Sequence, residues 1–318
     1  MNSLTISQTR PGILNCIGHT PLVELSDKIV PRDSARVFAK LELSNPTGSM
    51  KDRMALAMIE EAEKSGKIKP GDSVVEYTSG STGTSLAQVC SAKNYPLRIV
   101  TSDAFSSEKL NHMVALGADL VLVPSQGGGI TKALFSQMIE KTRELSKSPN
   151  VYWTDQMNNH DMLVGYQQLG KEIWEQTDGR ISAFVHGVGT CGSLRGISTV
   201  LKAKDKEIKV VAVEPGESPV LSGGESGSHS IEGIGAGFLV HHWDSGLADD
   251  IVAISTKEAT EWARKLAESE SIFAGPSSGA NVAAALRIAS QLPADSVVVT
   301  ILCDTGFKYL STSLYDFV

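Results

Sequence analysis

The stretch Ile181-Ser-Ala-Phe-Val-His-Gly-Val-Gly-Thr-Cys-Gly-Ser193, continued by Leu194–Lys204 and Ile208–Val213, decides the fold class. Ile181–Val185 reads as a short strand, and the small-residue loop Gly187–Ser193 follows it. Leu194–Lys204 carries helical periodicity and Ile208–Val213 is a β-branched run. Strand, glycine loop, helix and strand make one βαβ unit. The same rhythm extends to both sides. Upstream come strand Arg36–Leu43, helix Asp52–Ser65, strand Ser73–Tyr77, helix Thr84–Lys93, strand Arg98–Thr101, helix Glu108–Leu116, strand Asp119–Val123, helix Thr131–Leu145, strand Val151–Thr154 and helix Asp161–Glu175. Downstream come helices Lys257–Glu268 and Asn281–Ser290 and strand Val297–Leu302. Strands alternating with helices predict an α/β fold with mostly parallel sheets flanked by helices. No internal repeat of fixed period is visible.

Composition bounds what such a chain can do. Its 318 residues correspond to about two lobes at roughly 150 residues each. Apolar residues make up 41% and charged residues 20%, values that exclude disorder and collagen. No apolar run approaches the ~20 residues of a membrane span. Lys and Arg number 29 against 36 Asp and Glu, a net charge of −7 with no basic stripe, so nucleic acid is not expected as a partner. Met1-Asn2-Ser3-Leu4-Thr5 has no basic patch leading into an apolar segment, so no secretory signal is expected. Cys16, Cys90, Cys191 and Cys303 form no C-x-x-C pair and are expected as reduced thiols of a cytoplasmic protein. The seven histidines show no H-x-x-x-H spacing, and no metal site is expected.

One segment breaks the rhythm. Pro215–Gly246 is rich in Gly and Ser and contains Gly233-Ile-Gly-Ala-Gly237. A loop of this length is either a functional lid or an insert.

Four small-residue loops each open a helix: Asn45-Pro-Thr-Gly-Ser-Met-Lys-Asp52, Thr78-Ser-Gly-Ser-Thr-Gly83, Gly187–Ser193 and Gly275-Pro-Ser-Ser-Gly-Ala280. Helix N-termini present free N–H groups and a positive dipole end, which suit phosphates and carboxylates. Three of the loops match motifs. Gly187-x-Gly-x-x-Gly192 fits a dinucleotide fingerprint, with Glu214 placed as the ribose acid, so a nicotinamide-dependent oxidoreductase is an open alternative. Gly275-x-Ser-x-Gly279 fits a nucleophile elbow, but no histidine follows it, which argues against a serine hydrolase. Thr78–Gly83 lacks the lysine of an NTPase phosphate loop.

Lys51 tips the balance. Ser49 reads as an N-cap with Asp52 three residues on, a capping-box variant. That spacing puts Lys51 in the first helical turn, where the dipole disfavours a cation. The side chain is either an ordinary surface lysine or an amine poised to form a Schiff base. An amine, a phosphate cup and a partner for a ring nitrogen are the parts that pyridoxal phosphate needs.

At these residues the chain resembles the cysteine synthase and cystathionine β-synthase family, fold type II pyridoxal-phosphate enzymes, from about Leu14 to Leu314. Ile17-Gly-His-Thr-Pro-Leu-Val23, Asn45–Arg53, Glu232-Gly-Ile-Gly-Ala-Gly-Phe238 and Ser277-Ser-Gly-Ala280 carry the likeness in order. The resemblance implies that Lys51 is the Schiff-base lysine and that Gly189, Thr190, Cys191, Gly192 and Ser193 form the phosphate cup. It implies that Ser277 meets the pyridine nitrogen and that Ser81 faces the phenolic oxygen. Thr78, Ser79, Gly80, Thr82 and Gln156 would take the substrate carboxylate, and Gly233 to Gly235 would border its amino end. Three positions depart from the family pattern: Ser81 replaces Asn, Cys191 replaces Gly, and Met157 replaces an aromatic residue.

The resemblance further implies two lobes, one of residues 39–153 with a mobile part near 97–141, the other of residues 14–38 and 154–318. The implied reaction is formation of L-cysteine from O-acetylserine and sulfide through an aminoacrylate, by a cytoplasmic homodimer. An amine or cyanide as nucleophile, or plain elimination from cysteine or serine, are alternatives with the same cofactor. A regulator that keeps the fold without catalysis is another. No added regulatory module or haem-binding extension is expected, which weighs against cystathionine β-synthase.

Overall fold

The computed structural model describes residues 12–125 and 131–316. The chain divides into two compact units. The first is built from residues up to His19 and from Asn45–Asp155, the second from Thr20–Ser44 and from Gln156 onward.

The first unit holds a four-stranded sheet in the order β5-β4-β3-β6, parallel throughout. Its strands are β3 (Ser73–Tyr77), β4 (Leu97–Ser102), β5 (Asp119–Val123) and β6 (Val151–Trp153). Helices α1 (Lys51–Lys64), α2 (Ser81–Lys93), α3 (Ser107–Ala115) and α4 (Lys132–Ser146) accompany them. The stretch 97–141, expected to be mobile, holds β4, α3, β5 and the start of α4, and its residues 126–130 lie outside the described ones.

The second unit holds a six-stranded sheet in the order β1-β2-β10-β7-β8-β9. Its members are β1 (Leu22–Glu24), β2 (Arg36–Leu41), β7 (Ala183–Gly187), β8 (Lys209–Pro215), β9 (Asp250–Ile254) and β10 (Val297–Leu302). Only the edge strand β1 runs antiparallel. The central β10 is buried at all six positions, as a strand covered on both faces must be. The helices are α5 (Met162–Gln176), α6 (Gly192–Lys204), α7 (Thr256–Glu270) and α8 (Pro276–Ala289). Helix α8 is almost wholly buried and joins the core of Val185, Val211, Val213, Val298 and Leu302. A Cβ at Gly279 would collide with the Ala259 carbonyl oxygen, so this glycine lets α7 and α8 approach closely.

Three expectations need correction. Residues 39–44 belong to the second unit, because β2 pairs with β10 along its whole length; residues 14–19 belong to the first. Helices α2 and α8 begin at Ser81 and Pro276, three and five residues before the expected Thr84 and Asn281. Ser, Thr and Gly read as loop formers, yet such residues favour a helix's first turn, as does Pro at its first position. Strands β1 and β9 were not expected; β1 has three residues and β9 follows directly on the glycine-rich loop.

A buried charge fixes β2 against α5. Lys40 Nζ, fully buried, donates to Glu172 Oε2 at 2.9 Å, to the Thr20 carbonyl at 2.6 Å and to Gln176 Oε1 at 2.8 Å. Removing one member of a buried ion pair strands the other charge in a low dielectric. Glu172→Leu is therefore expected to cost about 3–5 kcal/mol, read as a lower urea midpoint at unchanged slope. An unchanged midpoint would show that the ammonium is solvated on the way in.

All four cysteines are free; Cys16 is exposed and Cys90, Cys191 and Cys303 are buried. Burial pushes the Cys90 and Cys191 thiols up to about 12. Thiols at that value stay protonated at neutral pH and react slowly. One thiol equivalent is thus expected to react rapidly with a disulfide reagent in the native protein and four in denaturant.

Candidate functional site

In the first unit the lysine is positioned by polar contacts at the start of α1. Lys51 is its first residue and is half-buried. Its backbone N–H donates to Ser49 Oγ at 3.2 Å. Asp52 does not close the expected capping box. Its buried carboxylate accepts instead from the Thr47 N–H at 2.9 Å, from the Thr47 hydroxyl, and from Ser85 Oγ–H at 2.5 Å. Ser85 lies on α2, so one carboxylate ties the lysine loop, α1 and α2 together.

The second loop of this unit runs from β3 into α2. Thr78 is buried, and its Oγ1 accepts from the Gly80 N–H at 3.1 Å. Ser79 and Ser81 are half-buried and Thr82 is buried. Ser81 and Thr82 open α2, so the small-residue loop ends on a helix N-terminus. A Cβ at Gly80 would run into the stem of Lys109, and one at Gly83 into Met113 and Thr78.

In the second unit β7 passes into α6 through Gly187–Ser193. Cys191 is the residue before the helix and sits at φ 67°, ψ −7°, in the left-handed region. An L side chain there costs roughly 1–2 kcal/mol, so the position suits the family's glycine better than cysteine. Its thiol stays protonated at neutral pH and packs rather than attacks. A Cβ at Gly189 would collide with the Gly233 carbonyl oxygen, and one at Gly192 with Met162 Sδ. Gly189 must therefore be glycine, because a backbone carbonyl stands in the way, whereas at Gly192 the methionine side chain would have to move. Thr190 is half-buried and Ser193 buried, with Ser193 Oγ 2.8 Å from His186 Nε2.

The glycine-rich segment 215–246 is braced against this loop. Gly235 N–H donates to the Val188 carbonyl at 2.9 Å. Gly233, Gly235 and Gly237 all have positive φ, between 71° and 95°, which only glycine adopts freely. Ser277, in the first turn of α8, is 3% exposed and its hydroxyl has no partner in the protein. A Cβ built on Gly233 would lie 3.7 Å from Ser277 Oγ. The structure thus brings Gly189–Ser193, Gly233, Gly235 and Ser277 together within this unit. Gln156 is buried in the connection leading to α5.

Glu214 is not displayed for a ribose. It is buried, and its carboxylate accepts from the Leu221 N–H at 2.7 Å and from the Ser222 hydroxyl. That removes the acid on which the nicotinamide alternative relied. Among the described residues no group of three or more His, Cys, Asp or Glu can hold a metal ion.

Two residues of the second unit were missed. Asn281, fully buried on α8, donates from Nδ2 to the Ile301 carbonyl at 2.8 Å and accepts at Oδ1 from the Gly187 N–H at 2.7 Å. Asn within an Ala/Val helix was a usable signal. His186, at the end of β7, contacts both Asn281 and Ser193 and had none.

The parts fit a phosphorylated pyridine aldehyde. A helix N-terminus and a loop that has no room for a Cβ at Gly189 suit a phosphate. A buried neutral hydroxyl without a protein partner suits a ring nitrogen, and Lys51 supplies an amine.

Comparison with known proteins agrees. The family model "Pyridoxal-phosphate dependent enzyme" matches residues 13–304. A cysteine synthase of Staphylococcus aureus is 44% identical over 307 residues, covering 96% of this chain and 97% of that one. The crystal structure of O-acetyl serine sulfhydrylase isoform 3 from Entamoeba histolytica superposes with a TM-score of 0.92 at 38% identity, over 100% of this chain and 95% of that one. An O-acetylserine dependent cystathionine beta-synthase from Helicobacter pylori superposes at 0.88 with 35% identity, over 96% and 99%. Nearly the whole chain is covered by the model and the relatives alike, and with its lysine, glycine loop and buried serine it belongs to the pyridoxal-phosphate dependent enzymes.

Proposed function

We propose that the chain makes L-cysteine from O-acetylserine and sulfide. The C–O bond to the acetyl group breaks, acetate leaves, and a C–S bond forms at the same carbon. The observation that carries this reading is the buried, unpartnered hydroxyl of Ser277, together with relatives named for this activity. Pyridoxal phosphate, when bound, supplies an electron sink that lets an amino acid lose its β-substituent.

The roles of the chain's own residues follow from their chemistry. Lys51 Nζ would hold the cofactor's aldehyde and would serve as the base that accepts the α-proton. Gly189–Ser193 takes the phosphate with N–H and hydroxyl donors. Ser277 Oγ meets the ring nitrogen as a neutral partner. A carboxylate would hold a proton there and favour transamination; a hydroxyl does not, which favours loss of the β-substituent, by elimination or replacement, and the relatives' names favour replacement. Ser81 donates to the phenolic oxygen. Thr78, Ser79, Gly80, Thr82 and Gln156 bind the substrate carboxylate, and Gly233 and Gly235 border its amino end. A cytoplasmic homodimer is part of the proposal and is supported by the resemblance alone. No helix among the described residues is long and apolar enough to cross a membrane.

The reading is tested by quantifying products from O-acetylserine with sulfide, cyanide or an amine present in competition. Cysteine is expected as the main product; a predominant nitrile or amine adduct, or pyruvate alone, would overturn the choice of nucleophile. Lys51→Ala is expected to abolish turnover, and borohydride reduction of the wild-type protein to place the pyridoxyl label on the peptide containing Lys51. A label on another lysine would show that the attachment site is elsewhere. Ser277→Asp is expected to retain cofactor, slow cysteine formation at least ten-fold and raise the share of transamination. An unchanged rate and product ratio would remove Ser277 from the ring nitrogen.

A further inference from the structure

The geometry assigns His186 as the residue that fixes Ser193 as a hydrogen-bond donor toward the anion loop, through a single imidazole tautomer set by Asn281. This rests on the reading that Gly189–Ser193 receives the cofactor's phosphate. The assignment follows from which donor and acceptor atoms face one another along Asn281, His186 and Ser193.

The chain begins at Asn281, whose amide orientation is fixed at both ends. Its oxygen must face the Gly187 N–H, at 2.7 Å, because that backbone group can only donate. Its nitrogen must face the Ile301 carbonyl, at 2.8 Å, because that group can only accept. A flipped amide would set donor against donor and acceptor against acceptor. The same Nδ2 lies 3.4 Å from Cys303 Sγ and, nearer, 3.2 Å from His186 Nδ1. An amide N–H cannot face an imidazole N–H across that distance, so Nδ1 is the bare, accepting nitrogen.

A neutral imidazole with Nδ1 bare carries its proton on Nε2. Nε2 is 2.8 Å from Ser193 Oγ, so the ring donates and the hydroxyl oxygen accepts. The serine's own proton is thereby turned away from His186. Ser193 is the second residue of α6, where the backbone N–H groups have no intrahelical acceptor. The hydroxyl joins those N–H groups as another donor at the same end of the helix.

His186 is 2% exposed and Asn281 fully buried, so water does not compete for these bonds. With the opposite tautomer, Ser193 would donate to the ring and present a lone pair to the anion, which is repulsive. His186 touches no anion itself; it is a positioning residue acting through Ser193.

Two measurements on the full chain test this. The first is 15N NMR of histidine-labelled wild-type protein, with the His186 signals identified by their loss in His186→Gln. A protonated Nε2 and a bare Nδ1 are expected; the reverse tautomer, or a doubly protonated ring at neutral pH, overturns the assignment. The second compares affinity for pyridoxal 5′-phosphate with affinity for pyridoxal, which lacks the phosphate. Ser193→Ala and His186→Leu should each reduce the preference for the phosphorylated form by about ten-fold, the scale of one hydrogen bond to a charged group. His186→Gln, whose amide can still donate to Ser193, should recover most of it. If Ser193→Ala lowers the preference and His186→Leu does not, the positioning role fails while the cup stands. If Ser193→Ala leaves the preference unchanged, the phosphate is bound elsewhere and the cup reading fails first.

Discussion

The second unit depends on the amide of Asn281. It sits on α8, yet its two ends are spent on the backbone of β7, through Gly187, and of β10, through Ile301. One side chain thus locks a helix to two adjacent strands of the sheet. The helix carries Ser277 in its first turn, and β7 runs into the glycine loop and α6. Packing alone would leave α8 free to slide, because its buried face is mostly small side chains, which give little register. A buried amide with fixed partners admits one register only.

The first unit has a parallel device in Asp52. Its carboxylate gathers Thr47 from the lysine loop and Ser85 from α2. A buried carboxylate that accepts from these donors costs little to keep, while any change of register would strand it. Lys51 is the residue next to it, so the backbone that carries the amine is held in place. In both units the groups assigned to chemistry stand at helix N-termini, and a buried polar residue further along holds the helix in place.

Much of the fold was legible because parallel strands in a covered sheet are near-continuous apolar runs. Ser73–Tyr77, Asp119–Val123 and Val297–Leu302 were read to the residue for that reason. Helix starts were less legible: at Ser81 and Pro276 the first turn is made of the residues that also make loops. The division into units was misread at 39–44, because only the pairing of β2 with β10 assigns that segment, and pairing is not written locally. Lys51, the glycine loop and Ser277 were found through motif and resemblance. Cys191, noted as standing where the family has glycine, sits in the left-handed region at φ 67°. His186 stayed hidden because a histidine ending a strand reads like any buried ring, and its meaning lies in two partners 7 and 95 positions away.

In the proposed function, a neutral serine at the ring nitrogen and a lysine amine commit bound pyridoxal phosphate to exchange of a β-substituent. The most direct measurement is the visible spectrum of the purified protein, recorded alone, after O-acetylserine, and after sulfide. The account predicts a band from the lysine-bound cofactor that O-acetylserine replaces with a new band at longer wavelength, and that sulfide then restores with release of one cysteine per site. A protein without a visible band, or one whose band ignores O-acetylserine, would contradict it.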